Sequence, residues 1–372
     1  MKLYRVKKLL FSVFKMQPQI ALSFAAALID LSTSPSSCHD LRIPVSVEKT
    51  APGEYHGERY NADILYALAG RKILVSNSYE MSARLCLPEN SQGPRADNLQ
   101  VLLHGASFNK NMWDAQYKPD TYSWVKRMSH EGYPTLAVDL VGNGNSTFPD
   151  GLLEVQTQMY VETVHRLIQK LRKGEVGGRA WDKIVLVGFS IGGITANALA
   201  EQYPNDVDAI VLHGITWDAS WIYPAFLSGL QAPAQQIDPE KWGHLQPTYQ
   251  TQSTRDGRLV ACFAGSYEQG MVEYDWNTRD FDTLGAAITF TYHLVEAPEY
   301  KGPVFLGIGD QDSTFCGGRF CREQPYAVYK NFPSAKAHEV KIYEETGHLI
   351  LYHHSGTKLM ADTLSFLKTH GF

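Results

Sequence analysis

Apolar residues along this chain fall into short runs separated by stretches with helical spacing. Residues 99–103 (LQVLL), 134–140 (PTLAVDL), 183–188 (KIVLVG), 208–212 (DAIVL), 303–308 (PVFLGI) and 338–343 (HEVKIY) each predict a strand. Most lack polar alternation, as expected of strands covered on both faces. An earlier strand is predicted over residues 81–87 (MSARLCL), closed by Pro88. Helices are predicted over residues 122–130, 152–171, 191–203 and 358–369. In the second of these, Tyr160, Val164, Leu167, Ile168 and Leu171 share one helical face. Gly132 and Gly174 stand where the first two helices should stop. Strand–helix alternation of this kind implies an α/β fold, with a mainly parallel central sheet and helices on both faces.

The alternation breaks once, between His213 and about Tyr300. That stretch carries thirteen aromatic residues, among them Trp217, Trp221, Phe226, Trp242, Tyr249 and Trp276. A structureless loop of such length is improbable inside a compact domain. We therefore expect a mostly helical cap over residues 214–300, inserted into a core made of residues 38–213 and 301–372.

The chain has 372 residues, a formal net charge of -5 and 20% charged residues, so a polyanionic nucleic-acid partner is not expected. Its N-terminus begins with Lys2, Arg5, Lys7, Lys8 and Lys15, continues with an apolar run at residues 20–31, and ends small and polar at residues 32–37. Basic, then apolar, then small is the order of a secretory signal, predicted here over residues 1–37 with Met1 or Met16 as the start. The apolar run is shorter than the roughly 20 residues a bilayer crossing takes, so stable membrane insertion is not expected after signal removal. Five cysteines suit an oxidising compartment. Cys316 and Cys321 are the first candidate pair, and Cys38 and Cys86, each at the edge of an early strand, the next; the odd count leaves one thiol unpaired or paired between molecules, and an inert buried thiol is the favoured reading for Cys262. No C-x-x-C pairs suggest a zinc site.

Residues 188–192 (GFSIG) match G-x-S-x-G directly after a predicted strand and before a predicted helix. That context makes Ser190 the candidate nucleophile on a tight strand-to-helix turn. A serine needs a base at neutral pH, and His348, just after the last predicted strand, is the candidate. His353 and His354 lie nearby and are expected to be solvated. The base needs a carboxylate to hold its tautomer. Asp312 is preferred over Asp310, which sits nearer its strand end and could cap a turn; Asp218 is a weaker third option. Backbone N–H groups of Ala106 and Ile191 are the expected oxyanion donors. His104, ahead of Gly105, is expected to be a structural hydrogen bonder. The D-L-V-G-N-G-N-S segment at residues 139–146 lacks a phosphate-loop pattern and reads as a structural turn. Its sequon at Asn145 is a doubtful glycosylation site, because that turn is tight.

These motifs resemble the α/β-hydrolase superfamily, from residue 99 to the C-terminus with the cap interrupting. His-Gly after one strand, the Asp139 segment after the next, the Ser190 turn, the Asp312 segment and Gly347-His348 follow in that family's order. The segment around Cys38 and Ile43-Pro44-Val45 resembles secreted hydrolases of fungi and actinomycetes. The resemblance implies an α/β-hydrolase fold, a Ser–acid–His set and no cofactor. Epoxide hydrolases and dehalogenases of this fold carry Asp at the turn, where this chain has Ser190, so both activities are disfavoured. Large fungal carboxylesterases have G-E-S-x-G and a long Gly-rich oxyanion loop, from which Phe189 and the single Gly105 depart. The expected function is hydrolysis of carboxylic esters or lactones of apolar or aromatic small molecules, with Trp217, Trp221 and Phe189 as candidate substrate contacts. Most of the cap aromatics are expected to hold the cap on the sheet. A thioesterase or acyltransferase of natural-product biosynthesis, and a non-catalytic binding protein on the same scaffold, are the alternatives.

Overall fold

A computed structural model describes residues 37–47, 74–88, 92–318 and 321–372. The predicted signal therefore lies, except for Ser37, outside the described residues. Eleven strands are present among the described residues: β1 (Cys38–Val47), β2 (Asn77–Cys86), β3 (Asn98–Leu103), β4 (Thr135–Val138), β5 (Lys183–Phe189), β6 (Ala209–His213), β7 (Gln231–Pro233), β8 (Tyr249–Gln252), β9 (Asp282–Thr283), β10 (Val304–Gly309) and β11 (His338–Tyr343). Eight of them form one sheet in the order β1-β2-β4-β3-β5-β6-β10-β11. The pairs β1–β2 and β2–β4 are antiparallel and the others parallel. This is the mainly parallel α/β sheet that the pattern of runs predicts, and its strand order agrees with the fold that the resemblance implies.

The principal helices are α1 (Trp124–His130), α2 (Thr157–Arg172), α3 (Ile191–Gln202), α4 (Ile222–Ser228), α5 (Arg255–Cys262), α6 (Gln269–Thr278) and α7 (Gly356–Thr369). Side chains of β3 and β5 divide between the two faces by their alternation. Leu99, Val101, Leu103, Ile184 and Leu186 pack with Val164, Leu167 and Ile168 of α2 and Ile194 and Leu199 of α3. Leu102, Val185 and Val187 face the other way, toward Val125 and Met128 of α1 and Leu364 and Leu367 of α7. All the side chains of β3, and all of β5 except Lys183, are buried, which is why these runs carry no polar alternation.

Strand β1 is anticipated in the sequence only as an early strand with Cys38 at its edge, without bounds. Leu41, Ile43, Val45 and Val47 alternate with exposed Arg42, Pro44 and Ser46, and that apolar side packs on the core. Pro44 is tolerated because β1 is an edge strand, paired on one side only. Cys38 stands directly opposite Cys86 in the β1–β2 register, and the two are joined by a disulfide. A second disulfide joins Cys316 to Cys321, and Cys262 is free and buried. Both pairings agree with the sequence reading. Among the described residues, no helix is long and apolar enough to cross a membrane.

Between β6 and β10 the chain forms α4, α5, α6, further short helices and a separate three-stranded sheet, β7-β8-β9. That sheet was not expected from the sequence. Its strands are two to four residues long, too short for a periodic signal.

Candidate active site

Strand β5 ends at Phe189 and α3 begins at Ile191, so Ser190 occupies the corner between them with φ 52° and ψ -119°. A residue other than glycine held at positive φ is strained and persists only where its surroundings enforce it. The enforcement is visible on both sides. A Cβ on Gly188 would collide with the Gly192 carbonyl, and one on Gly192 would collide with the carbonyl oxygens of Leu103 and His104. From behind, the Ser190 N–H donates to the His213 carbonyl at 2.9 Å. The glycines of G-x-S-x-G are thus needed for close approach of backbone to backbone.

His348 follows β11 and Asp312 follows β10, strands that pair in parallel, so both loops leave the same end of the sheet as the Ser190 corner. The Ser190 Oγ lies 3.0 Å from His348 Nε2, and His348 Nδ1 lies 2.8 Å from Asp312 Oδ2. Asp312 is fully buried, while Ser190 is 8% and His348 6% exposed. The other Asp312 oxygen accepts from the N–H groups of Thr314 and Phe315, at 2.8 and 2.9 Å. Three hydrogen bonds therefore satisfy a buried carboxylate. Asp310 instead accepts from the Thr346 N–H at 3.0 Å, tying the acid loop to the His348 loop. Asp218 accepts from the Ser220 N–H of its own turn.

The other imidazoles are spent elsewhere. His104 Nδ1 donates to the Gly105 carbonyl at 2.8 Å and its Nε2 accepts from the Leu140 N–H at 3.1 Å. Burial lowers its pKa, which suits the neutral ring those bonds require. His353 is fully buried rather than solvated. Its Nε2 accepts from the N–H groups of Ala264 and Gly347, its Nδ1 donates to the Leu349 carbonyl, and burial lowers its pKa to about 4. It braces the His348 loop from beneath. His354 is exposed and pairs with the Ser266 hydroxyl at 2.8 Å.

A small cleft, open to solvent on one side, lies over Ser190 and His348. Ala106, Phe108, Phe189, Phe226 and Cys262 supply much of its apolar wall, and Ser107, Gln231, Gln252 and Thr314 its polar groups. Phe189 stands against the His348 ring, with centroids 4.9 Å apart. Ala106 lines this cavity, and Ile191 is the first residue of α3, where backbone N–H groups lack helical partners. Burial pushes the Cys262 thiol up to about 12, so it is a neutral wall group.

Trp217 and Trp221 do not line the cavity. The Trp217 indole N–H points to Asn197 Oδ1 at 3.1 Å and the Val295 carbonyl at 3.3 Å, and its ring packs on Phe332. Trp221 covers Gly317, beside the second disulfide. Trp217 thus packs against α3 and Phe332, and Trp221 against the loop after β10. The turn at residues 139–146 is likewise structural: buried Asp139 pairs with buried Lys110 at 2.6 Å and accepts from the Asn145 N–H. Among the described residues, no group of three or more His, Cys, Asp or Glu is arranged to hold a metal ion.

Residues that the motifs did not single out also reach the site. Helix α5 touches all three functional loops. Arg258 donates to Ser107 Oγ at 3.0 Å, the Ala261 carbonyl accepts from Ser313 Oγ at 2.9 Å, and the Cys262 carbonyl accepts from the Leu349 N–H at 2.9 Å. Its sequence, RDGRLVAC, carries no catalytic motif. The only signal was a charged residue facing inward on an amphipathic helix.

Residues 100–362 match the profile of the alpha/beta hydrolase family. Among curated proteins, an esterase of Mycobacterium tuberculosis is 32% identical over 117 residues, which cover 31% of this chain and 32% of that protein. Epoxide hydrolase 3 of Xenopus tropicalis is 28% identical over 122 residues, covering 33% of this chain and 29% of its own length. The chain thus spans less than a third of the length of either relative. Among solved structures, the monoacylglycerol lipase of Paleococcus ferrophilus superposes with a TM-score of 0.52 at 17% identity, covering 73% of this chain and 94% of that one. At that identity the likeness is one of fold.

Proposed function

We propose that this chain, which belongs to the alpha/beta hydrolase family, is a serine hydrolase that cleaves carboxylic esters or lactones of apolar or aromatic small molecules. The observation that carries the reading is the continuous line of contacts from Ser190 Oγ through the His348 ring to buried Asp312, at 3.0 and 2.8 Å. Asp312 holds the Nδ1–H tautomer, leaving Nε2 free to accept the serine proton. Ser190 Oγ then attacks the ester carbonyl. The resulting oxyanion is met by the N–H groups of Ala106 and Ile191. His348 returns the proton to the departing alkoxide, and the acyl group stays on Ser190. Water, deprotonated by His348, releases the acid and restores the serine.

The wall around Phe108, Phe189 and Phe226 supports apolar or aromatic acyl groups. Ser190 at the corner, where the resemblance to epoxide hydrolases would ask for Asp, supports ester rather than epoxide opening. We read residues 214–300 as the cap and residues 1–37 as a secretory signal. The two disulfides support an oxidising compartment.

A fluorophosphonate probe tests the nucleophile: wild type should label, and Ser190→Ala should not. Absence of labelling in both would favour a non-catalytic binding protein. A screen of p-nitrophenyl esters of graded chain length, lactones and thioesters then sets the substrate. Turnover confined to thioesters, or an acyl group passed to an added amine or alcohol in preference to water, would replace hydrolysis of esters with the thioesterase or acyltransferase reading.

A further inference from the structure

We propose that Arg258 of the cap, locked by Asp275, is a positioning residue that aims the oxyanion loop by gripping Ser107. The inference rests on the serine-hydrolase reading above. The residues at 105–108 form a tight turn, closed by the Phe108 N–H donating to the Gly105 carbonyl at 3.2 Å. Ser107 occupies its third position with φ 60°, a conformation that turns usually reserve for glycine. Serine there is strained, and something outside the turn must hold it.

The cap supplies that hold from three directions. Arg258 Nη1 donates to Ser107 Oγ at 3.0 Å, and Gln252 Nε2 donates to the same oxygen at 3.1 Å. The Asp280 N–H donates to the Ser107 carbonyl at 2.9 Å. The Ser107 hydroxyl itself donates to the Ala106 carbonyl at 2.6 Å, fixing the next peptide plane. With one bond given and two accepted, the hydroxyl is saturated and has no proton left for a substrate. Its office is to tie the turn to the cap.

Arg258 is itself immobilised. Its Nε and Nη2 donate to the two Asp275 oxygens at 2.5 and 2.7 Å, its Nη1 also donates to Gln252 Oε1 at 2.9 Å, and its guanidinium lies 4.4 Å from the Phe108 ring centre. Ser107, Gln252, Arg258 and Asp275 are each at most 5% exposed. A paired fork of this kind has one geometry and transmits it. Ala106, adjacent to Ser107, carries the proposed oxyanion N–H. Small errors in aiming a group at the transition state cost about 10²-fold in rate while leaving ground-state binding nearly intact.

The test compares kcat and KM, with melting temperature and fluorophosphonate labelling, for wild type, Ser107→Ala, Ser107→Gly and the neutral pair Arg258→Gln with Asp275→Asn. The neutral pair leaves no buried carboxylate unpaired. Ser107→Ala keeps the Arg258–Asp275 pair whole and serves if the neutral pair fails to fold. Ser107→Ala and the neutral pair should lower kcat by about 10–10²-fold with KM changed less than threefold. Ser107→Gly should lose less than Ser107→Ala, because glycine holds positive φ unaided. Adding the neutral pair to Ser107→Gly should cost much less than adding it to wild type. An unchanged kcat in folded Ser107→Ala, equal losses for glycine and alanine, or additive losses in the combined variant would overturn the proposal. A wild type without Ser190-dependent turnover would instead overturn the serine-hydrolase reading, and this inference with it.

Discussion

The strand ends of the core and the cap helix α5 serve the same few cubic ångströms in opposite ways. The core brings Ser190, Asp312 and His348 together from the ends of β5, β10 and β11, each placed by its own strand and loop. Its polar contacts run in one line, and the end of that line is open to the cavity. Helix α5 presents no reacting group, yet it bonds to the turn at residues 105–108, the loop that carries Asp312 and the loop that carries His348. Its buried charge is paired, with Arg258 giving four hydrogen bonds, two of them to Asp275. The lesson is a division of labour between a core that presents unsatisfied chemistry and a cap that removes the freedom of the loops presenting it.

The sharpest way to break this comparison is at the core. Ser190→Ala or His348→Ala should reduce turnover by about 10⁴-fold or more, measured as kcat on an ester substrate, with melting temperature little changed. A near wild-type rate in either would move the chemistry elsewhere. Asp312→Asn should approach the same loss, because the tautomer is no longer held, whereas Asp310→Asn should cost less than tenfold. Asp310 braces Thr346 and does not touch the ring. The reverse ranking would show that the loop brace, and not the imidazole partner, is the catalytic acid.

The cap should respond in binding and stability more than in chemistry. Phe226→Ala removes an apolar wall and should raise KM for aromatic esters by about tenfold, the worth of roughly 1.4 kcal/mol of lost burial. Trp217→Phe should leave KM unchanged and lower the melting temperature by a few degrees, since it deletes a buried hydrogen bond of about 1 kcal/mol. If Trp217→Phe moved KM instead, the tryptophan would belong to the substrate pocket after all.

The last effect expected is read in stability alone, as a pH slope around Asp282. Burial pushes the Asp282 carboxyl up to about 7, and the neighbouring Asp280 charge adds to it. A carboxyl raised above its unfolded value near 4 favours the protonated fold, so stability is greatest at low pH and falls as pH rises from about 4 through about 7. Asp282→Asn cannot ionise. Its melting temperature, relative to wild type, should therefore be higher at pH 8 than at pH 5. An identical difference at both pH values would mean that the carboxyl is not held protonated.

Much of the site was legible because it obeys local rules. The glycines flanking Ser190 are demanded by carbonyls a few atoms away, and a buried strand announces itself as an uninterrupted apolar run. Asp312 could be preferred over Asp310 from its distance to the strand end alone. His353 escaped the same reasoning because nothing local distinguishes a buried brace from a solvated histidine. Trp217 and Trp221 were assigned to substrate because aromatics in a cap look alike, whether they face the cavity or the core.

By itself, then, the chain's pattern determined the mainly parallel central sheet and the residues that meet at the Ser190 corner. These follow from burial on both faces of a strand and from short-range sterics. Only the tertiary structure decided which aromatics face the cavity and which buried charge grips the oxyanion loop. The contacts of Ser107 with Gln252 and Arg258 span 145 and 151 residues of chain. No periodicity encodes a partner at that distance, because the fold of everything between must exist before the two can touch.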